Sequence, residues 1–241
     1  MLVNPKLDVF DQDVMSHGGY VYTTVSRLSS ALATQRQITI ILQAGRFTGR
    51  SVLDMGCGDG AHTIRFWDQG KPRTVTGVDA APQAVQVANA NKQARPIQFL
   101  VGDVHDLALP DNSFDLTILQ GVLHHCHNPA RVIREGLRLA PEILILEPNG
   151  YNLGLKIIEK LSRYHLEHNE KSYGSLQLVR WVKEAGGKPI SQRFAGFVPM
   201  FCPDWLARTM KAVEPAVERT PLLNMCGCAV FVLVARRVDS L

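Results

Sequence analysis

The sequence predicts an α/β fold, a three-layer sandwich around a mostly parallel sheet, and three observations predict it. From residue 51 onward, short apolar runs of strand length alternate with stretches of helical periodicity. The first run, Ser51–Met55, leads directly into the glycine turn Gly56-Cys-Gly-Asp-Gly60, and Pro82 heads a helical stretch just after the second run. Strands alternating with helices make a parallel sheet covered on both faces.

The elements follow in order. Residues 1–48 read as a helical N-terminal segment, with Leu28, Leu32, Ile38, Ile41 and Leu42 on one face of a helix over Ser26–Ala44. Before it lies Ser16-His-Gly-Gly-Tyr-Val-Tyr22, either a simple turn or a lid. Residues 49–150 form the regular part. It has strands at Ser51–Met55, Thr74–Val78, Ile97–Val101, Leu116–Leu119 and Glu142–Glu147, with helices from Ala61, Ala81 and Pro129. Pro82 suits a first helical turn, where its missing N–H costs nothing.

Regularity breaks after Asn149-Gly150. Residues 151–225 read as an insertion with outer sheet elements: helices at Leu153–Tyr164, Leu176–Ala185 and Trp205–Val217, and a strand at Ile190–Phe197. Residues 226–241 hold the last strand, an apolar run at Ala229–Ala235. The whole chain, 1–241, reads as a single domain.

Charge divides unevenly. Residues 1–150 carry 13 Lys/Arg against 14 Asp/Glu, and residues 151–241 carry 13 against 8. The basic part has no consecutive basic run and no interleaved aromatics, so a solvated surface is expected rather than a nucleic-acid interface. No apolar run reaches the ~20 residues of a membrane span, and the acidic first residues do not resemble a signal peptide, which favours the cytoplasm. Five cysteines cannot all pair, and reduced thiols are expected. Cys226 and Cys228 would share a face if they lay on a strand, but a metal there lacks two further ligands, so no metal is expected.

The glycine turn satisfies two patterns. Gly56-x-Gly58-x-x-Ala61 fits the loose dinucleotide fingerprint, which is weak alone. The stretch Ser51-Val-Leu-Asp-Met-Gly-Cys-Gly-Asp-Gly60, followed by Asp79, Asp103 and the run Phe114–Leu119, resembles the class I S-adenosylmethionine (SAM)-dependent methyltransferases of the small-molecule type. The resemblance covers about residues 50–150. It implies a Rossmann-like sheet of seven strands, one of them antiparallel, with a helical cap, and it implies SAM as cofactor with S-adenosylhomocysteine as product. Asp54 would then meet the ammonium of the methionine moiety, where a pyrophosphate would be repelled. Gly56, Cys57, Gly58 and Gly60 would cradle the cofactor. Asp79 and Ala80 would hold the ribose, and Asp103 and Val104 the adenine. Gln120 and Gly121 would lie near the methionine moiety, and Tyr20 would close over it.

The segment Gly121-Val-Leu-His-His-Cys-His-Asn-Pro129 matches a Leu-His-His loop of the same family, which implies that His124 and His125 face the reaction space. Successive residues point in different directions, so His124-His-Cys-His127 is not a zinc site. One histidine is expected as a general base, with His125 slightly preferred. No Asn/Asp-Pro-Pro-Tyr/Phe run follows the fourth strand, which argues against nucleobase and glutamine nitrogens as acceptors. A small-molecule acceptor is expected, lipid-like, quinone-like or a secondary metabolite, bound among Tyr20, His124, His125, Tyr151 and the insertion with Tyr164, Tyr173, Phe197, Phe201 and Trp205. The rivals are an RNA or protein methyltransferase, an NAD-dependent oxidoreductase and a catalytically silent SAM-binding protein.

Overall fold

The computed structural model describes residues 27–161 and 171–238. The Gly18-Gly19-Tyr20 segment and Tyr164 lie outside the described residues. The elements are α1 (Leu28–Gly45), β1 (Ser51–Met55), α2 (Ala61–Gly70), β2 (Thr74–Asp79), α3 (Pro82–Asn91), β3 (Ile97–Val101), β4 (Leu116–Gln120), α4 (Pro129–Leu139), β5 (Glu142–Pro148), α5 (Leu153–Leu161), α6 (Ser175–Glu184), β6 (Gly187–Ala195), α7 (Asp204–Arg219), α8 (Leu223–Gly227) and β7 (Val230–Arg237). They build a seven-stranded sheet in the order β3-β2-β1-β4-β5-β7-β6. β7 runs antiparallel to both β5 and β6, and the other neighbouring pairs are parallel.

Strand parity divides the core between the two faces. In β1, Val52 points with Ile38, Ile41, Phe47 and Phe66 into the layer containing α1 and α2, while Leu53 and Met55 point with Val132, Leu137 and Val182 into the layer containing α4 and α6. α1 is therefore part of the sandwich: Ile38, Ile40 and Ile41 are fully buried. The Ser29 and Ser30 hydroxyls both donate to the Met200 carbonyl, fastening the start of α1 to the segment before α7.

Asp115, from the Phe-Asp pair that opens β4, is an anchor. One carboxylate oxygen accepts from the Ser51 N–H and hydroxyl, each at 2.8 Å, and these bonds, with Arg73 and Arg50 nearby, hold its pKa below the ordinary carboxylate value. Farther along, Asn149 is fully buried and its amide donates to the carbonyls of Met225 and Cys228, tying the end of β5 to the entry of β7.

Two expectations are corrected. β6 begins at Gly187 and ends at Ala195, earlier than the Ile190–Phe197 reading, because Gly187 already pairs with Arg237 across the sheet. A register shift between Pro189 and Ser191 falls where proline has no N–H to give to the ladder. Cys226 does not share a strand face with Cys228: it lies within α8, and Cys228 is the residue that ends that helix. Cys57, Cys202, Cys226 and Cys228 form no disulfide. Among the described residues, no helix is long and apolar enough to cross a membrane, and no cluster of three His, Cys, Asp or Glu side chains is arranged to hold a metal.

Candidate active site

A cavity of about 580 Å³ opens at the carboxyl ends of β1, β2, β3 and β4, where ligands bind in open parallel sheets. Its wall includes Gly56, Cys57, Gly58, Asp79, Ala80, Asp103, Val104, Gln120, Gly121, His124 and His125. Those eleven sequence-derived candidates are thus brought together from four strand ends.

The glycine turn is pinned to β2, with Gly56 and Cys57 N–H donating to the Val78 carbonyl at 2.7 and 3.0 Å. Gly56 has φ +81°, and a Cβ there would come within 2.3 Å of a Val122 methyl, so turn and β4 loop touch backbone to side chain. Asp79 organises the turn: Oδ2 accepts from Gly58 N–H at 2.8 Å and Oδ1 from Ala81 N–H at 2.9 Å. A carboxylate oxygen has two lone-pair sites, so this scaffolding is compatible with hydrogen bonds from ligand hydroxyls.

Asp103 holds a side chain 65% exposed, with Oδ1 accepting from the N–H and the ring Nδ1 of His105 at 2.9 and 2.6 Å. Partial burial raises its pKa, but the two His105 hydrogen bonds, with the charges of His105 and His127, outweigh that and hold it below the ordinary value. Nε2 of His105 is buried on the cavity wall without a hydrogen-bond partner among the described residues, and the ring stacks on His127 with centroids 4.0 Å apart. His62, also on the wall, is pushed down to about 4 by burial, with Arg65 adding to that and Asp59 opposing it, so its imidazole is neutral at physiological pH.

Asp54 and Gly60 take other positions. Asp54 shares the parity of Val52, so it points beneath the turn toward α2, where the Thr63 hydroxyl donates to Oδ2 at 2.6 Å. It is 2% exposed and does not line the cavity, and burial, with Asp79 nearby, raises its carboxyl to about 7 despite the Thr63 bond. Gly60, at φ +77°, is the residue before α2; a Cβ there would meet Ala88 and Phe99 at 2.8 Å. Its lack of a side chain serves the packing of α2 and the turn against α3 and β3 rather than a ligand contact.

The β4 loop carries the other end of the site. Leu123–His125 form one turn of 3₁₀ helix, and the rings of His124 and His125 lie 3.9 Å apart. Nδ1 of His124 is 2.7 Å from Oε2 of Glu147, a fully buried carboxylate at the end of β5. Oε1 of Glu147 accepts from the N–H groups of Val122 and Leu123, both at 2.8 Å. Gln37 of α1 reaches the wall and accepts from the Gln120 amide at 3.2 Å.

Sequence reasoning missed Glu147 and Gln37. A single acidic residue closing the run Ile143-Leu-Ile-Leu146 was the available signal for Glu147; Gln37, in an amphipathic helix 83 residues before its partner, carried none. The expected aromatic acceptor wall is dispersed. Tyr151 packs over Gly174, Tyr173 meets Trp181 edge to face at 4.8 Å, and Trp205 is 69% exposed; none of the three lines the cavity. Met200, Pro148 and Val230 supply the apolar wall there instead.

The sheet order, the glycine turn and the acidic residues at successive strand ends define the class: a Rossmann-like nucleotide-cofactor domain of the methyltransferase type. Residues 53–151 match the family described as "Methyltransferase domain", and with this fold that segment is a methyltransferase domain of the class I SAM-dependent type. Over 149 residues it is 32% identical to the tRNA U34 carboxymethyltransferase of Hahella chejuensis, covering 57% of this chain and 44% of that protein. It is 24% identical to the chloroplastic 2-methyl-6-phytyl-1,4-hydroquinone methyltransferase 2 of rice (Oryza sativa subsp. japonica), covering 60% and 41%. The chain thus spans less than half the length of these curated relatives. Among solved structures, the methyltransferase chain in a complex with the Haloferax volcanii Trm112 methyltransferase activator superposes with a TM-score of 0.68 at 19% identity, covering 94% of this chain and 96% of that one. That likeness is one of fold.

Proposed function

We propose that this protein transfers a methyl group from SAM to a small-molecule acceptor. The observation that carries the reading is that one cavity joins a carboxylate end, Asp79 and Asp103, to an imidazole end, His124 and His125. The first suits ribose hydroxyls and an adenine amine; the second faces the place where an acceptor would be aligned. A volume of about 580 Å³ lies within the range of roughly 300–1,000 Å³ common for small-molecule sites. SAM supplies a sulfonium-activated methyl carbon, so the chain's own task is to orient the acceptor and exclude water. Ala80 and Val104 would sit with Asp79 and Asp103 along the nucleoside, and Cys57, Gln120 and Gly121 along the amino-acid portion. The apolar wall of Met200, Pro148 and Val230 favours an acceptor with an apolar body, of lipid-like, quinone-like or secondary-metabolite kind.

RNA is the second reading, favoured by the tRNA-modifying relatives and by the excess of basic residues in 151–241. The deciding experiment supplies SAM with a radiolabelled methyl group to the protein in a cell extract and separates small molecules, RNA and protein. Label in the small-molecule fraction supports the proposal, label in RNA moves the assignment to the second reading, and no labelled product with SAM bound marks a silent binder.

A further inference from the structure

The pair formed by Glu147 and His124 does more than close the β4 loop. Glu147 is fully buried, stays outside the cavity wall and spends one oxygen on two backbone N–H groups, which fixes its orientation. Its other oxygen meets Nδ1 of His124, a ring that does line the cavity. We propose that Glu147 is a positioning residue that holds the Nδ1 proton of His124, making Nε2 the proton-accepting nitrogen of the site, and that the acceptor therefore enters carrying a proton on its nucleophilic atom. The inference rests on the methyltransferase reading and chooses His124 over His125 as the base.

The balance of the step is simple. The acceptor's nucleophilic atom bonds to the methyl carbon of a sulfonium donor as the carbon–sulfur bond breaks and its electron pair stays on sulfur. The acceptor's proton goes to Nε2, and the imidazolium so formed lies against the Glu147 carboxylate. The titratable groups around the pair are His125 and Cys126 on the same turn and Tyr173 from the segment before α6; β7 presents only Phe231 opposite Glu147. The phenol of Tyr173 is raised by burial, with the charges of Glu147 and Cys126 adding to it, so it is neutral at physiological pH.

Histidine labelled with ¹⁵N reads the tautomer directly, with the His124 signals assigned by their loss in His124→Gln. In the unaltered protein His124 is expected as the Nδ1–H form. In Glu147→Gln the new amide donates to Nδ1, and His124 is expected to switch to the Nε2–H form; Glu147→Asp keeps Nδ1–H. Methyl transfer to the labelled acceptor is expected to fall at least ~100-fold in Glu147→Gln, within the usual range for losing a general base, and to be partly restored in Glu147→Asp. S-adenosylhomocysteine affinity, measured by calorimetry, should stay within about twofold, because Glu147 does not line the cavity. An Nε2–H tautomer in the unaltered protein overturns the proposal even if Glu147→Gln fails to fold. Unchanged transfer in a variant whose tautomer has switched overturns it equally. Failure of the unaltered protein to bind S-adenosylhomocysteine counts against the methyltransferase reading, and the tautomer still decides the role of Glu147.

Discussion

Asp79 shows how one side chain can serve scaffold and ligand together. Its oxygens already accept from Gly58 and Ala81 N–H, so Asp79→Ala removes both the turn's anchor and the proposed ribose acceptor. Calorimetry should show S-adenosylhomocysteine affinity reduced by about 1–3 kcal/mol, the usual cost of losing hydrogen bonds to a charged acceptor. Affinity equal to that of the unaltered protein, in a folded variant, would remove Asp79 from the site. Asp54 offers a test by acidity. Its folded pKa of about 7 stands above the ordinary 3.8, so the folded state favours the protonated form. That contribution is complete below about pH 4 and is lost as pH rises toward 7. Asp54→Asn keeps an acceptor for Thr63 but cannot ionise. Relative to the unaltered protein it should therefore gain roughly 2–3 kcal/mol between pH 5 and pH 8, at about 1.4 kcal/mol per pH unit. Urea unfolding at the two pH values measures this, and parallel changes in both proteins would show that Asp54 ionises freely.

At the scale of elements, comparing Gly60 with Gly186, both at high positive φ, separates backbone conformation from crowding. Both would strain an alanine at φ near +80°, but only at Gly60 would the new methyl meet Ala88 and Phe99 at 2.8 Å; at Gly186 nothing lies within 4 Å. Gly186→Ala should cost about 1 kcal/mol, from the left-handed conformation alone. Gly60→Ala should cost about 1–3 kcal/mol more, from overpacking against α3 and β3. Equal losses in thermal or denaturant unfolding would mean that the α2–α3 contact yields freely. Much of this element pattern was legible beforehand. β1 and β3 fall at the expected limits because a glycine turn or a polar turn ends each apolar run. The place of β6 was hidden because its residues are largely solvent-facing, so they lack the apolar pattern that announces a strand. Its pairing comes from β7, more than thirty residues away in the chain. The orientation of Asp54 was available from strand parity, since alternate residues of β1 face opposite layers; the resemblance drew attention to the turn instead.

For the whole molecule, the segment that matches the methyltransferase family, 53–151, is not a self-sufficient fold. α1 covers one face of its sheet and contributes Gln37 to the cavity wall, and β5 finds one of its two neighbours only in β7. The last described strand goes in as a wedge, between β5 and a β6 that has no other strand partner among the described residues. During synthesis the chain therefore carries two open strand edges until residues 230–237 emerge, and both are templates for pairing with another copy. A chain ending at Cys228 should lack a cooperative unfolding transition and aggregate, and a synthetic peptide spanning 229–238 should restore solubility when added during refolding. A soluble, cooperatively folding 1–228 chain would show that β5 and β6 can close on each other. The buried amide of Asn149 grips the carbonyls of Met225 and Cys228 at the threshold of β7, so one side chain at the end of β5 sets where the closing strand enters the sheet.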